Sequence, residues 1–216
     1  MQANDRKRAR SEDEKFQRRQ QILAAAESHF RDVGFEAFST AKLARLAGVA
    51  KGTLYLYFTT REEVLLSLYC QQLERFAGEL GNRLESGMTD DAFVRAFHDS
   101  AMADSAFVAL SVRLSHVIEN NVSIEALVTS KRVMRTIIEG MSTRIASALD
   151  ISEAEAFDLI SSLASQLIGT ARHDAGPEFD AEALPEDVRS FIDAFHTEES
   201  FLTNARRILA GIRADI

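Results

Sequence analysis

One cysteine, two prolines, ten glycines and no tryptophan stand among 216 residues. A lone Cys70 excludes an intramolecular disulfide and any zinc site built on several thiolates. Both prolines, Pro177 and Pro185, fall in one short acidic stretch, so the rest of the chain carries no proline barrier to helix. No run approaches the roughly 18 apolar residues that cross a bilayer, and no membrane partner is expected. The first residues are charged and lack the apolar segment of a secretory signal, which makes a cytoplasmic location the expectation. Catalytic signatures are missing too: there is no G-x-S-x-G, no glycine-rich phosphate loop and no H-E-x-x-H. The five histidines, His29, His98, His116, His173 and His196, include no pair spaced to share a metal on one helical turn. Enzyme activity, a cofactor and a bound metal are therefore not expected.

What is present favours helix. Hydrophobic residues make up 46% of the chain, enough for a substantial core, and Ala, Leu, Arg and Glu are abundant. An all-α protein is expected. Its charge is divided unevenly. Residues 1–61 carry 12 Lys+Arg against 7 Asp+Glu, a net of +5, whereas residues 62–216 carry 13 against 26, a net of −13. A basic head on an acidic body suits binding of nucleic acid through one end only.

Residues 1–15 are polar, without a hydrophobic period, and read as a mobile basic arm with a cluster at Arg6, Lys7, Arg8 and Arg10. Ile22, Leu23, Ala26 and Phe30 then recur at helical spacing, and Gly34 is placed to end that helix. Thr60-x-x-Glu63 is a capping box that starts a long helix to about Leu84. Further helices are expected from Thr89 or Asp90 to Ala103, from Ala106 to Glu119, from a Ser123 cap to Leu149, and from the capping box Ser152-x-x-Glu155 to His173. An exposed loop is expected over 174–188, and a final helix over Phe191–Ile212.

The most informative stretch is Thr40–Phe58, TAKLARLAGVAKGTLYLYF. Leu43, Ala44 and Ala47 make an apolar stripe, Gly48 breaks it at a sharp turn, and Leu54 is the inward residue of a second short helix. Small Ala44 lets two steeply crossing helices approach. These are the features of a helix-turn-helix, whose second helix enters the DNA major groove. Its outward residues are Lys51, Gly52, Thr53, Tyr55 and Tyr57: a cation, a gap, a hydroxyl and two phenols, suited to phosphates and base edges.

The pattern AxLAxxAGVxxGTLYxYFxxxEE, preceded by a helix ending in Val-Gly-Phe, resembles the amino-terminal domain of the TetR family of transcriptional regulators, without a gap from Ile22 to Leu65. Two departures stand out. Ala50 replaces a serine common in the family, which removes a side-chain cap from the recognition helix, and Arg61 replaces a lysine. The resemblance implies a three-helix helix-turn-helix head over residues 16–60 and a helical effector-binding and dimerisation body over 61–216. It implies phosphate contacts for Thr40 and Arg61, beside the outward residues of the recognition helix. It also implies a small-molecule effector, of unknown identity, held among the inner faces of the body. Phe97, Phe107, Leu110, Leu114, Met134, Ile138, Met141, Leu163, Gln166, Leu167 and Thr170 are the expected lining. In the family the last two long helices form a four-helix bundle across a two-fold axis. Ser161, Ser165 and Gly169 fall at i, i+4 and i+8, and Phe157, Ser161, Ala164, Ser165 and Ile168 are the expected homodimer interface.

The expected function is thus a sequence-specific regulator bound to a palindromic double-stranded DNA operator, a repressor released by its effector. Two alternatives stay open on the residues alone: a ligand- or protein-interaction module with sequence-blind DNA binding, or an activator.

Overall fold

The computed structural model describes the backbone of residues 2–174, 184–193 and 197–214, and the side chains of 13–171, 184–190 and 198–214. Every regular element among them is helical. In order these are α1 (Gln2–Ala37), α2 (Thr40–Leu46), α3 (Lys51–Tyr55), α4 (Arg61–Arg83), α5 (Asp90–Met102), α6 (Ser105–Arg113), α7 (Ile124–Leu149), α8 (Glu153–Asp174), α9 (Glu186–Asp193) and α10 (Thr197–Ala214). Between α6 and α7 lie a π-helical turn, Leu114–Ile118, and a 3₁₀ turn, Glu119–Asn121. No single helix among the described residues is long and apolar enough to cross a membrane.

The chain divides into two compact units: residues 1–71 with 113–130, and residues 72–112 with 131–216. Helices α4, α6 and α7 each contribute residues to both.

The first unit is built on Ile22, Leu23, Ala26 and Phe30 of α1, all buried with Leu43, Ala44, Leu54, Phe58, Val64, Leu65 and Leu68. Gly34 interrupts α1 at φ 68°, a left-handed conformation that a Cβ would strain, and Phe35 and Phe38 then turn back into the core. Residues 113–130 belong to this unit as well. The Arg113 guanidinium lies 4.8 Å from the Phe35 ring centroid, and Arg61 lies 4.6 Å from the same ring. Asn120 donates to the carbonyl of His116 at 3.0 Å and Asn121 to that of Val117 at 2.7 Å.

Phenylalanines organise the second unit. The Phe76 ring meets Phe97 edge-on at 5.1 Å and stacks on Phe107 at 4.9 Å, and Phe97 stacks in turn on Phe201 at 6.1 Å. Each such pair adds roughly 0.5–1.5 kcal/mol beyond the area it buries. Helix α10 packs against α5 and α8 through Phe201, Leu202, Ala205 and Leu209. Its cations fix its register: Arg206 Nε donates to Asp91 at 2.7 Å, and Arg213 grips Asp90 at 2.7 Å and the carbonyl of Leu149 at 3.1 Å.

Three expectations differ from these observations. Residues expected as a mobile arm continue α1 from Gln2, because Ala, Arg, Lys, Glu and Gln are all strong helix formers and nothing between Gln2 and Phe16 breaks the helix. The Arg6–Arg10 side chains themselves lie outside the described residues. The sixth helix stops at Arg113, where the chain widens into the π-helical turn. The last helix is two elements, α9 and α10, with residues 194–196 between them outside the described set. Most of the loop expected over 174–188, residues 175–183, lies outside it too.

Candidate nucleic-acid interface

Local chemistry sets the helix-turn-helix. Ser39 is the cap of α2: its backbone is extended and its hydroxyl accepts from the Lys42 N–H at 3.2 Å. Such a cap stabilises by about 1 kcal/mol. The Ser39 N–H in turn donates to Nε2 of buried His29 at 3.3 Å, and the His29 ring lies 5.0 Å from that of Phe38. His29 thus accepts at Nε2 and carries its proton at Nδ1. Burial is the main cause holding its pKa below the ordinary histidine value, with the charge of Lys42 acting the same way and Asp32 opposing. After α2 the chain turns at Gly48, φ 65°, and the Val49 N–H closes the turn on the carbonyl of Ala44 at 2.9 Å. Helix α3 starts at Ala50 without a side-chain cap, as the departure from the family pattern implies. Leu54 is its fully buried anchor.

That anchor turns the other side of α3 to solvent. Lys51, Gly52 and Tyr55 are exposed, and Thr53 and Tyr57 are half-buried. The Lys51 ammonium lies 5.9 Å from the Tyr55 ring centroid, and the Tyr55 hydroxyl is 3.5 Å from the Thr40 hydroxyl. Three of the expected DNA-binding side chains, Thr40, Lys51 and Tyr55, are therefore assembled into one cluster. Tyr57 stands apart. It lines a shallow groove of about 390 Å³ with Glu14, Lys15, Gln17, Arg18 and Gln21 of α1. A Cβ built on Gly52 would meet nothing within 4 Å, so no internal packing requires glycine there.

Arg61 is engaged inside the protein. Its guanidinium donates to the carbonyl of Phe35, lies over that residue's ring and sits 3.5 Å from Glu62. The fold therefore employs it in closing the Gly34–Phe35 turn onto the start of α4.

Next to it the hydroxyl half of the expected capping box is present, while the Glu63 carboxylate reaches Thr59, one residue before the expected cap, and then Ser123. The Glu63 N–H donates to the Thr60 hydroxyl at 3.1 Å. The Glu63 carboxylate accepts from the backbone N–H and hydroxyl of Thr59 at 2.7 and 2.6 Å, and from the Ser123 hydroxyl at 3.0 Å. Ser123 meanwhile caps α7 by accepting from the Ala126 N–H at 3.2 Å. Burial on its own raises the pKa of this carboxyl, but the hydrogen bonds from Thr59 and Ser123 outweigh it and the net shift is downward.

The residues expected to line an effector site are mostly interior. Phe97, Phe107, Leu110, Met134, Met141, Leu163, Leu167 and Thr170 are buried in the second unit, and Ile138 and Gln166 are half-buried there. The Thr170 hydroxyl bonds the carbonyls of Gln166 and Leu167, 3.0 Å from each. Leu114, half-buried, belongs to the first unit. On α8 the expected interface faces outward: Phe157 is 48% exposed, Ser161 and Ser165 are exposed, and Ala164 and Ile168 are half-buried. The opposite side of α8, with Leu159, Leu163 and Leu167, is buried.

Sequence reasoning missed Glu63 as a link to Ser123, because the partners are sixty residues apart and carry no local signal. It also passed over Leu56, which is 83% exposed between the two tyrosines. The signal was there: Leu54 is inward, so a residue two places on points away from it.

Comparison with known proteins agrees with this architecture. Residues 22–68 match the family model described as bacterial regulatory proteins, tetR family, and residues 70–216 match that described as tetracyclin repressor-like, C-terminal domain. The fatty acid metabolism regulator protein of Bacillus subtilis (strain 168) is 31% identical over 97 residues, covering 44% of this chain and 50% of that protein. The HTH-type transcriptional regulator YhgD of the same strain is 25% identical over 130 residues, covering 60% of this chain and 64% of that one. The chain thus spans between half and two-thirds of the length of these curated relatives. A TetR variant from Acinetobacter baumannii AYE, solved in complex with minocycline, shares the fold at a TM-score of 0.55 and 17% identity, covering 89% of this chain and 91% of that one. With the two family models matching in order from residue 22 to residue 216, the chain belongs to the TetR family.

Proposed function

We propose that the chain acts as a homodimeric repressor that leaves a palindromic operator when a small-molecule effector binds. The observation that carries this reading is the polar cluster of Lys51, Tyr55 and Thr40 on the exposed side of α3, held by fully buried Leu54. Two copies related by a two-fold axis place two such helices in successive major grooves, with half-site centres on the order of 34–36 Å apart or a multiple of that. Lys51, Thr53, Tyr55 and Tyr57 contact bases and phosphates, and open Gly52 admits close backbone approach. Thr40 binds a phosphate. Arg61 reaches phosphate only if it gives up its Phe35 contacts, so its main part is to position α4.

The dimer forms through the outward side of α8, where Phe157 is the apolar anchor and Ser161 and Ser165 allow close approach. The effector is apolar or aromatic, matching a body rich in Phe, Met and Leu. Likeness to a fatty acid metabolism regulator makes genes of that metabolism, and acyl-chain compounds, the first to test. An effector that prefers a subunit arrangement with misplaced recognition helices releases DNA in proportion to that preference.

The test is to incubate the purified protein with genomic fragments and titrate salt against what it retains. A discrete palindromic fragment with a steep salt slope, released by one class of small molecule, supports the reading. Retention of all fragments alike, without sequence preference, overturns it.

A further inference from the structure

Among the described residues Leu56 is the most exposed large apolar side chain, at 83%. A single exposed leucine is ordinary on a protein surface and carries no information by itself. Its position does. Helix α3 has one fully buried residue, Leu54, and successive residues turn by about 100°. Gly52 and Leu56, two places before and after, each lie about 200° from the anchor and so face directly away from the core. Leu56 keeps helical backbone angles, φ −73° and ψ −19°, so this phase extends to it. Thr53 and Tyr55 sit about 100° to either side.

The outermost line of the recognition helix is therefore Gly52–Leu56, with the polar residues as its flanks. Gly52 presents no side chain, which leaves Leu56 as the group that projects farthest outward along that line. The base edges of the major groove are hydrogen-bonding groups, apart from the thymine 5-methyl, which is the apolar feature a leucine can match. We infer that Leu56 reads a thymine methyl in each half-site. It is a specificity-determining residue of the DNA-reading surface, and the inference rests on the operator-binding reading above.

The probe is a duplex that the full-length wild-type protein selects from a random-sequence library. Each thymine is replaced in turn by deoxyuridine, which removes the methyl and keeps base pairing. One symmetric pair of thymines should be sensitive: losing one buried methyl weakens wild-type binding roughly fourfold, and losing both about fifteenfold. Leu56→Ala should bind the thymine and deoxyuridine duplexes equally, with an unchanged melting temperature. A selected duplex in which no thymine methyl matters more to wild type than to Leu56→Ala overturns the inference alone. So does a loss in Leu56→Ala that is uniform over all sequences, which signals a sugar-phosphate contact. If no duplex is selected at all, the operator-binding reading fails, and this inference with it.

Discussion

Glu63 and Ser123 join the starts of two helices across sixty residues of chain: the carboxylate that closes the cap of α4 also accepts, at 3.0 Å, from the hydroxyl that caps α7. One buried charge therefore serves two helix N-termini, where unpaired N–H groups and the helix dipole both favour an anion.

Replacing Glu63 by Ala should destabilise the protein by about 2 kcal/mol, because hydrogen bonds to a charged group are lost and buried donors are left unpaired. Glu63→Gln, which keeps shape but not charge, should lose less. The pH dependence follows from the lowered pKa. The folded state binds the proton more weakly than the unfolded state, so the stabilisation is complete above the ordinary glutamate range and disappears as pH falls through the folded value. Urea midpoints of wild type and Glu63→Gln should differ at pH 7 and converge on acidification. A difference that stays constant down to pH 3 refutes the assignment.

Ala50 has the extended backbone of an N-cap, φ −65° and ψ 149°, but no side chain to accept a hydrogen bond. Ala50→Ser should therefore stabilise the head by roughly 0.5–1 kcal/mol without moving the helix. Chemical denaturation measures the gain. Hydrogen exchange at the amides of α3 tells whether it lies where the cap predicts.

His29 gives the head a second pH response. Burial, then the charge of Lys42, keep its imidazole neutral, and Asp32 only partly opposes them. Because the unfolded state takes up the proton more readily, stability is complete above the ordinary histidine value, about 6.5, and declines as pH falls through it. Protonation also places a donor against the Ser39 N–H, at the cap of α2. The melting temperature of wild type should fall between pH 7.5 and 5.5 by more than that of His29→Leu. Parallel curves for the two proteins rule out this role.

Lys51→Ala should weaken operator binding and lower the salt slope by roughly one ion if its ammonium neutralises a phosphate. Tyr57→Phe removes one hydroxyl and should cost roughly threefold to tenfold in affinity. Neither residue is a core anchor, so melting temperatures should stay at the wild-type value. Shift assays at several salt concentrations separate the two effects, and unchanged affinity at moderate salt would exclude either contact.

Much of the head was legible because its signals are local. Gly48 needs its left-handed backbone, Leu43 and Leu54 keep helical phase, and Thr60 and Glu63 are three residues apart. Ser152 and Glu155 form the full reciprocal box, with the Ser152 N–H donating to the Glu155 carboxylate at 2.7 Å and the Glu155 N–H to the Ser152 hydroxyl at 3.2 Å. What stayed hidden depended on long-range packing or on reading apolar residues only as core. Nothing near Phe35 in sequence marks its ring as the one that both Arg61 and Arg113 cover. The π-helical turn at Leu114–Ile118 has no marker in sequence, since no glycine or proline announces it. Leu56 was overlooked because a leucine in a helix is assumed to point inward.

The outward side of α8 supplies the last test. Leu159, Leu163 and Leu167 are buried on one side, and Phe157 stands 48% exposed on the other, followed by exposed Ser161 and Ser165. An aromatic ring beside small residues suits a helix of a second subunit, because the ring supplies contact area and the small residues let the backbones approach. A carboxylate placed there is desolvated without a partner when two copies meet. Phe157→Asp should therefore raise the dimer dissociation constant by about 30-fold or more, the scale of an interface hot spot, while the monomer keeps its helical content. Because a palindromic operator needs both heads, operator affinity should fall in step with the loss of dimer, although residue 157 lies far along the chain from α3. Sedimentation across a concentration range measures the first effect and a shift assay at matched concentrations the second. A variant that remains dimeric at wild-type concentrations moves the interface to another surface, and one that becomes monomeric yet binds DNA unchanged breaks the link between dimerisation and operator recognition.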